Sequence, residues 1–338
     1  MGKRYLCGLD VEEIGELIKA GGFNHAQAVT VAGMFYKKGV PGLNETTRIP
    51  KSLKKYLYDV AQTGIYPPVK SEESADGTKK YLFISPEGKK FETVYIPEGK
   101  RKTVCVSTQS GCRMGCPFCV TGGYGFHGNL TARDIVNQVL GIPCHNEVTH
   151  VVFMGMGEPL DNPDNVLKAV RIFSAEWGMA ISPRNITVST VGITPAFIRF
   201  LRESECNLAL SLYSPFSEER AGVVPAEKIY PVREIISIMA ACQLSRKRRL
   251  SLAYIMIQGV NDTGNHLNEL ISLTRNTRIR VNLLPYHAVR DDDKRSSSEG
   301  RLQFFKHNLV MAGISASVRK SRGEDISAAC GLLASGMR

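Results

Sequence analysis

At 338 residues, 43% of them hydrophobic, the chain is long enough for one large α/β domain and a small accessory unit. No apolar run approaches the roughly 20 residues of a membrane span, and the opening Met1-Gly2-Lys3-Arg4 has no signal-peptide core, so the expectation is a cytoplasmic protein without membrane segments. In that setting nine cysteines point to metal or catalytic use rather than disulfides, and a net charge of +11 favours a polyanionic partner.

In chain order, residues 1–63 are read as a small helical accessory unit. Stretches 10–19 and 25–37 carry helical apolar spacing, with breaks at Gly21-Gly22 and Gly39. A third helix over 51–62 gathers Lys51, Lys54 and Lys55 on one side. That stripe is either a solvated face or a phosphate contact. Residues 64–101 follow as a linker (64–77) and a hairpin, with strands at 80–85 and 90–96 joined by Pro86-Glu87-Gly88. Glu92 alternates with Val94 and Ile96, so all three share a strand face. A carboxylate there has its pKa raised by desolvation; the plainer alternative is a surface glutamate on an edge strand.

From residue 102 onward β-branched runs alternate with amphipathic stretches. Strands are expected at 103–108, 150–154, 185–190, 207–212, 250–257 and 280–284. Helices are expected at 132–141, 164–176, 195–203, 231–243, 266–276 and 297–311, the first opened by a capping-box-like Thr131 and Asp134. Such alternation predicts a parallel sheet. Six units fall short of a closed eight-unit barrel, so the fold class is α/β, an open partial (β/α)6 barrel, with ligands at the carboxyl ends of its strands.

At the end of the first of those strands stands Cys112-Arg113-Met114-Gly115-Cys116-Pro117-Phe118-Cys119. Three thiolates in eight residues complete neither a tetrahedral zinc site nor a four-cysteine ferredoxin. A [4Fe–4S] cluster held by three of them keeps one iron open, and the C-x3-C-x2-C spacing resembles that of radical S-adenosylmethionine (SAM) enzymes. The strand at 150–154 runs into Gly155-Met156-Gly157-Glu158-Pro159, whose glycines let backbone approach a ligand. Ser189-Thr190 and Ser211-Leu212-Tyr213 place hydroxyls at two further strand ends. Near the C-terminus, Arg319, Lys320 and Arg322 precede Cys330, which is flanked by Ala329 and Gly331. Small neighbours leave a thiol open, and cations favour the attacking thiolate. Cys105, on the strand leading to the three-cysteine loop, can supply a second thiol to the same cavity.

Taken together, Glu-Thr-Val-Tyr-Ile-Pro from Glu92, Cys105-Val106-Ser107, the three-cysteine loop, the turn at 155–159, Ser189-Thr190, Val224-Pro225 and Ala329-Cys330-Gly331 closely resemble the RlmN/Cfr family of adenosine methyltransferases over nearly the whole chain. The resemblance implies a radical SAM methyltransferase acting on 23S rRNA, and on tRNA for RlmN-like members. Its cofactors are a [4Fe–4S] cluster on Cys112, Cys116 and Cys119, and SAM bound by Gly157, Glu158, Ser189, Ser211, Leu212, Tyr213 and His287. It further implies that two SAM molecules are used. One methylates Cys330; the other yields a radical that activates this methyl group for addition to the adenine ring. Glu92 then accepts the ring proton, and Cys105 releases the RNA by forming a disulfide with Cys330. Three positions depart from the family pattern: Tyr213 stands for histidine, His287 for asparagine and Leu332 for glutamine.

The turn Glu158-Pro159 and the run 318–323 look RlmN-like, which favours methylation at C2. The stretches 214–220 and 253–256 look Cfr-like, which keeps C8 as the alternative. A reading from another class is a non-catalytic Fe–S or zinc RNA-binding module, and the two further cysteines argue against it. Basic groups at Lys51, Lys54, Lys55, Lys79, Lys80, Arg246 to Arg249, Arg319, Lys320 and Arg322 suit phosphate contacts. Flavodoxin or ferredoxin is the expected electron donor, and the chain is expected to act as a monomer.

Overall fold

A computed structural model describes residues 2–38, 49–242, 247–289 and 293–334. Its centre is a ten-stranded mixed sheet. From Arg101–Cys105 the sheet continues through His150–Phe153, Ile186–Thr190, Asn207–Ser211, Leu250–Met256, Arg280–Pro285 and Ala316–Val318, every neighbour parallel. Between these strands run the helices Ala132–Leu140, Pro163–Ser174, Thr194–Glu203, Val232–Ala241, Gly264–Thr274 and Glu299–Met311. Asn207–Ser211, paired on both sides, buries Leu208, Ala209 and Leu210 in succession, while Ile186–Thr190 alternates buried and half-buried residues. The six expected β/α units are therefore present, and the sheet stays open. A seventh parallel strand, Ala316–Val318, was not foreseen, because its partly exposed Ala-Ser-Val carries no apolar run.

The hairpin is a continuation of this sheet. Lys79–Ile84 and Lys90–Glu98 pair antiparallel, and Lys90–Glu98 pairs antiparallel with Arg101–Cys105, setting Val94 opposite Cys105. The linker expectation for 64–77 is corrected by an edge strand, Lys70–Glu73. Its wholly polar Lys-Ser-Glu-Glu has no buried face to betray it, as befits an edge.

The N-terminal helices are Val11–Lys19, His25–Lys38 and Lys51–Val60. The first opens with a capping box of Asp10 and Glu13 and buries Ile14, Leu17 and Ile18. The third buries Leu53 and Leu57 and leaves Lys51 and Lys55 exposed, with Lys54 half-buried. The expected break at Gly39 and the end of the 231–243 helix lie outside the described residues, as does Arg246. No described helix is long and apolar enough to cross a membrane.

Candidate active site

A cavity opens at the carboxyl ends of the parallel strands. Its wall carries Cys112, Cys116 and Cys119, the turn residues Gly155, Gly157 and Glu158, the strand-end residues Ser189, Ser211 and Tyr213, and Cys330 from the far end of the chain. None of these cysteines is in a disulfide. Leu212 is fully buried behind the wall. His287 lies outside this lining and faces a neighbouring cavity shared with Lys320, Ser321 and Glu324. There it sits 3.0 Å from the Ser321 hydroxyl and 3.7 Å from Glu324, and burial holds its imidazole below the usual range.

The three thiols fit an iron–sulfur cluster better than a single ion. Cys112, Cys116 and Cys119 share one wall and are near enough for their charges to interact; three thiols leave a tetrahedral ion one protein ligand short, whereas a cluster presents a separate iron to each. Burial pushes the Cys112 and Cys116 thiols up to about 12, so the charge of bound iron is what would make them thiolates. Phe118 stacks on Tyr213, with ring centroids 5.1 Å apart, and ties the loop to the strand end at 211–213. Tyr213 takes a left-handed φ of +61°, and its carbonyl accepts from Asn261 Nδ2 at 2.7 Å.

The loops around the cavity are fixed by buried polar groups. The Ser107 hydroxyl donates to the Glu92 carbonyl at 2.5 Å and accepts from the Met156 N–H at 2.8 Å. This lashes the 155–159 turn to the strand that bears Cys105. A Cβ on Gly155 would lie 2.7 Å from that hydroxyl, and one on Gly157 2.5 Å from Gln109 Cβ. Both positions therefore require glycine, Gly157 also for its φ of +92°. Glu158 is buried, and its carboxylate accepts from the Thr190 hydroxyl (2.5 Å) and the N–H groups of Leu160 and Val191 (2.9 Å each). Burial lifts its pKa to about 7, against the pull of those three donors. Holding two loops together is thus its first task.

Two buried residues that sequence reasoning missed complete this frame. Gln138 accepts from the Thr93 hydroxyl and the Ser107 N–H at 2.7 Å each and donates to the Ser107 carbonyl at 2.8 Å. Arg220 is fully buried; it donates to the carbonyls of Leu212, Val191 and Ser211 at 3.0, 2.7 and 3.1 Å and pairs with Glu227. It thereby joins two strand ends that line the cavity. Neither had a sequence signal, since one polar residue on an amphipathic helix and one arginine in a short acidic helix both read as surface.

The C-terminal segment lies directly on the three-cysteine loop. Val120 N–H donates to the Gly331 carbonyl at 2.8 Å, and the Thr121 hydroxyl to the Leu333 carbonyl at 3.0 Å. Upstream, Asp325 accepts from the Ser74 hydroxyl at 2.6 Å and the Ala75 N–H at 3.2 Å. Cys330 is exposed, whereas Cys105 is buried. Burial, and then the proximity of Cys330, push the Cys105 thiol up to about 12, while Arg319 draws it down. Of the cations expected beside Cys330, Arg322 instead reaches Asp76 (3.9 Å) and Glu98 (3.7 Å), and Arg319 lies 3.1 Å from the Met154 sulfur.

Glu92 is no edge-strand surface residue. It is 3% exposed, its Oε2 accepts from the Ala334 N–H at 2.8 Å, and burial raises its pKa. The expectation of Lys80 as a surface phosphate contact is corrected. It is 7% exposed and points inward, 3.7 Å from Glu92 Oε1 and 2.9 Å from Glu72 Oε2, because its register opposite Val94 and Glu72 puts it on the strand face that Glu92 shares.

Fold and site together define a radical SAM enzyme, and residues 106–273 match the Radical SAM superfamily. The chain is 42% identical over 331 residues to the probable dual-specificity RNA methyltransferase RlmN of Parabacteroides distasonis, covering 98% of this chain and 96% of the relative. It is 38% identical to the dual-specificity RNA methyltransferase RlmN of Syntrophobacter fumaroxidans over 95% of both. The crystal structure of a radical SAM methyltransferase from Sphaerobacter thermophilus matches with a TM-score of 0.87 at 36% identity, covering 98% of this chain and 99% of that one. The chain belongs to the RlmN family of radical SAM RNA methyltransferases, whose cofactors are a [4Fe–4S] cluster and SAM.

Proposed function

We propose that this chain methylates C2 of an adenosine in 23S rRNA, with tRNA as a second substrate, through three residues. Cys330 carries the methyl group, Cys105 resolves the protein–RNA adduct and Glu92 accepts the ring proton. One observation carries the proposal: the segment bearing Cys330 is hydrogen-bonded to the loop bearing Cys112, Cys116 and Cys119, so an exposed thiol opens onto the same cavity as the cluster ligands. When bound, the cluster and SAM supply the one-electron chemistry needed to functionalise a carbon that is not nucleophilic. Cys112, Cys116 and Cys119 would hold the cluster, and the 155–159 turn with Ser189, Ser211 and Tyr213 would hold SAM.

The chain's own residues account for the rest. Cys330, on a loop, accepts a methyl group and presents it to the base. Cys105 stays protonated while buried, near Cys330, and attacks that sulfur once it is bonded to carbon. A sulfur–sulfur bond then forms and the carbon–sulfur bond breaks, leaving its electron pair on the methylene carbon, which takes up a proton. Glu92 lies buried on the strand paired with that of Cys105, under the C-terminal segment that carries Cys330. The exposed Lys51 and Lys55 suit phosphate contact, and the adenine must leave its stack to enter. A flavodoxin or ferredoxin is the electron donor and a cytoplasmic monomer the working form.

Anaerobic reconstitution with SAM, dithionite and an rRNA fragment, followed by nucleoside mass spectrometry, tests this reading. 2-Methyladenosine is expected; 8-methyladenosine alone would assign the Cfr-like regiochemistry instead, and no methylated base would overturn the proposal.

A further inference from the structure

Glu92 is a buried carboxylate assigned, under the proposed function, a reaction that requires it to be ionised. Burial opposes that state. The charges that bear on it most are Lys80 and Glu72, on the two strands beyond its own, while the C-terminal segment contributes the Ala334 N–H. Lys80 stands opposite Val94, the neighbour of Glu92 on the same strand face, and Glu72 stands opposite Lys80. The three side chains therefore form a row across three strands, from the half-buried carboxylate of Glu72 to the buried one of Glu92 under the C-terminal segment.

The distances in that row are unequal. Lys80 Nζ is 2.9 Å from Glu72 Oε2, a charge-assisted hydrogen bond, but 3.7 Å from Glu92 Oε1, beyond a hydrogen bond and within strong Coulombic reach. Glu92 Oε2 is occupied by the Ala334 N–H at 2.8 Å. Oε1 thus faces the Lys80 charge at more than ordinary hydrogen-bond length, which suits an oxygen that must receive a proton from a substrate. A tight lysine contact would have blocked it.

We propose that Lys80 is a positioning residue for proton abstraction: its buried ammonium keeps Glu92 ionised without occupying Oε1, and Glu72 holds that ammonium back. This rests on Glu92 being the base. The ring proton passes to Oε1, the ring retains the electron pair, and the Lys80 charge is unchanged throughout.

The test uses the reconstituted full chain and two opposed substitutions. Infrared difference spectra of ¹³C-glutamate-labelled protein, taken against Glu92→Gln, follow the protonation of Glu92 without any turnover. Single-turnover transfer from methylated Cys330 is measured over the same pH range. Lys80→Met is expected to raise the Glu92 titration by roughly one to three pH units, moving the acidic limb of transfer the same way, with Lys80→Arg restoring most of it. Glu72→Gln removes a negative charge at a half-exposed site and is expected to shift both readouts downward. Should Lys80→Met fail to fold, the Glu72→Gln shift decides alone. A Glu92 titration that moves with neither substitution would overturn the role of Lys80. Full transfer by Glu92→Gln would instead overturn Glu92 as the base, and the infrared shifts would still report whether Lys80 governs its charge.

Discussion

Cys330 is close enough for its charge to bear on the buried Cys105 thiol, yet the fold holds the two cysteines by opposite means. Cys105 is the last residue of a strand, paired on one side with Lys90–Glu98 and on the other with His150–Phe153. Cys330 sits on a loop, exposed, held by a few hydrogen bonds that its neighbours' carbonyls accept from Val120 and Thr121 and that Asp325 accepts from the turn at 74–78. In the proposed reaction one thiol must meet SAM, a base and finally its partner, while the other must only wait. The thiol with several positions to visit is on the element that can move at little cost. The waiting thiol is on the one that cannot.

The largest effect that would break this contrast is at the carrier. Cys330→Ser is expected to abolish methyl transfer to RNA while iron content and SAM binding stay at parent levels; transfer retained by this variant would refute the carrier assignment. Next, Cys105→Ala is expected to stop the reaction after base addition, so RNA accumulates covalently attached to protein and is visible as a retarded band on a denaturing gel. A variant that turns over freely would leave Cys105 without a role. On the strand side, Gln138→Leu strips the partners from the Thr93 hydroxyl and both backbone groups of Ser107. It should lower unfolding free energy by about 3 kcal/mol or more, read by denaturant melting. A near-neutral result would mean that the Cys105 strand is not rigidly supported from below.

Much of this arrangement was legible before any coordinates. The six β/α units could be read because short β-branched runs alternate with amphipathic stretches, and Thr131 and Asp134 marked a helix start that the structure caps as expected. The three-cysteine loop, the 155–159 turn, Ser189, Ser211, Tyr213 and Cys330 do meet at one cavity. What could not be read was direction. Lys80 looked like a surface cation because nothing in a hairpin's alternation says which face the C-terminal segment will cover. His287 was grouped with the SAM contacts by its place in the family pattern, but its ring faces the neighbouring cavity. Arg220 and Gln138 are buried polar hubs, and a lone polar residue carries no periodic signal until its partners, distant in sequence, are known.

The subtlest prediction concerns the tether of the mobile thiol. Asp325 is five residues from Cys330 and receives the Ser74 hydroxyl and the Ala75 N–H from the turn between Lys70–Glu73 and Lys79–Ile84. The same turn receives the Gly323 N–H on Asp76 at 3.1 Å, so two carboxylates clasp the chain just before the carrier loop. Asp325 is exposed, so Asp325→Ala should leave the melting temperature where it is. It should instead loosen where Cys330 is presented, and displacement of a reacting group by an ångström lowers rate by roughly ten- to a hundredfold. Single-turnover transfer from methylated Cys330 should fall by that order while SAM cleavage continues. If transfer and melting temperature fell together, the clasp would belong to the rigid half of the molecule. If neither moved, the hydrogen bonds to Val120 and Thr121 would suffice to place the carrier by themselves.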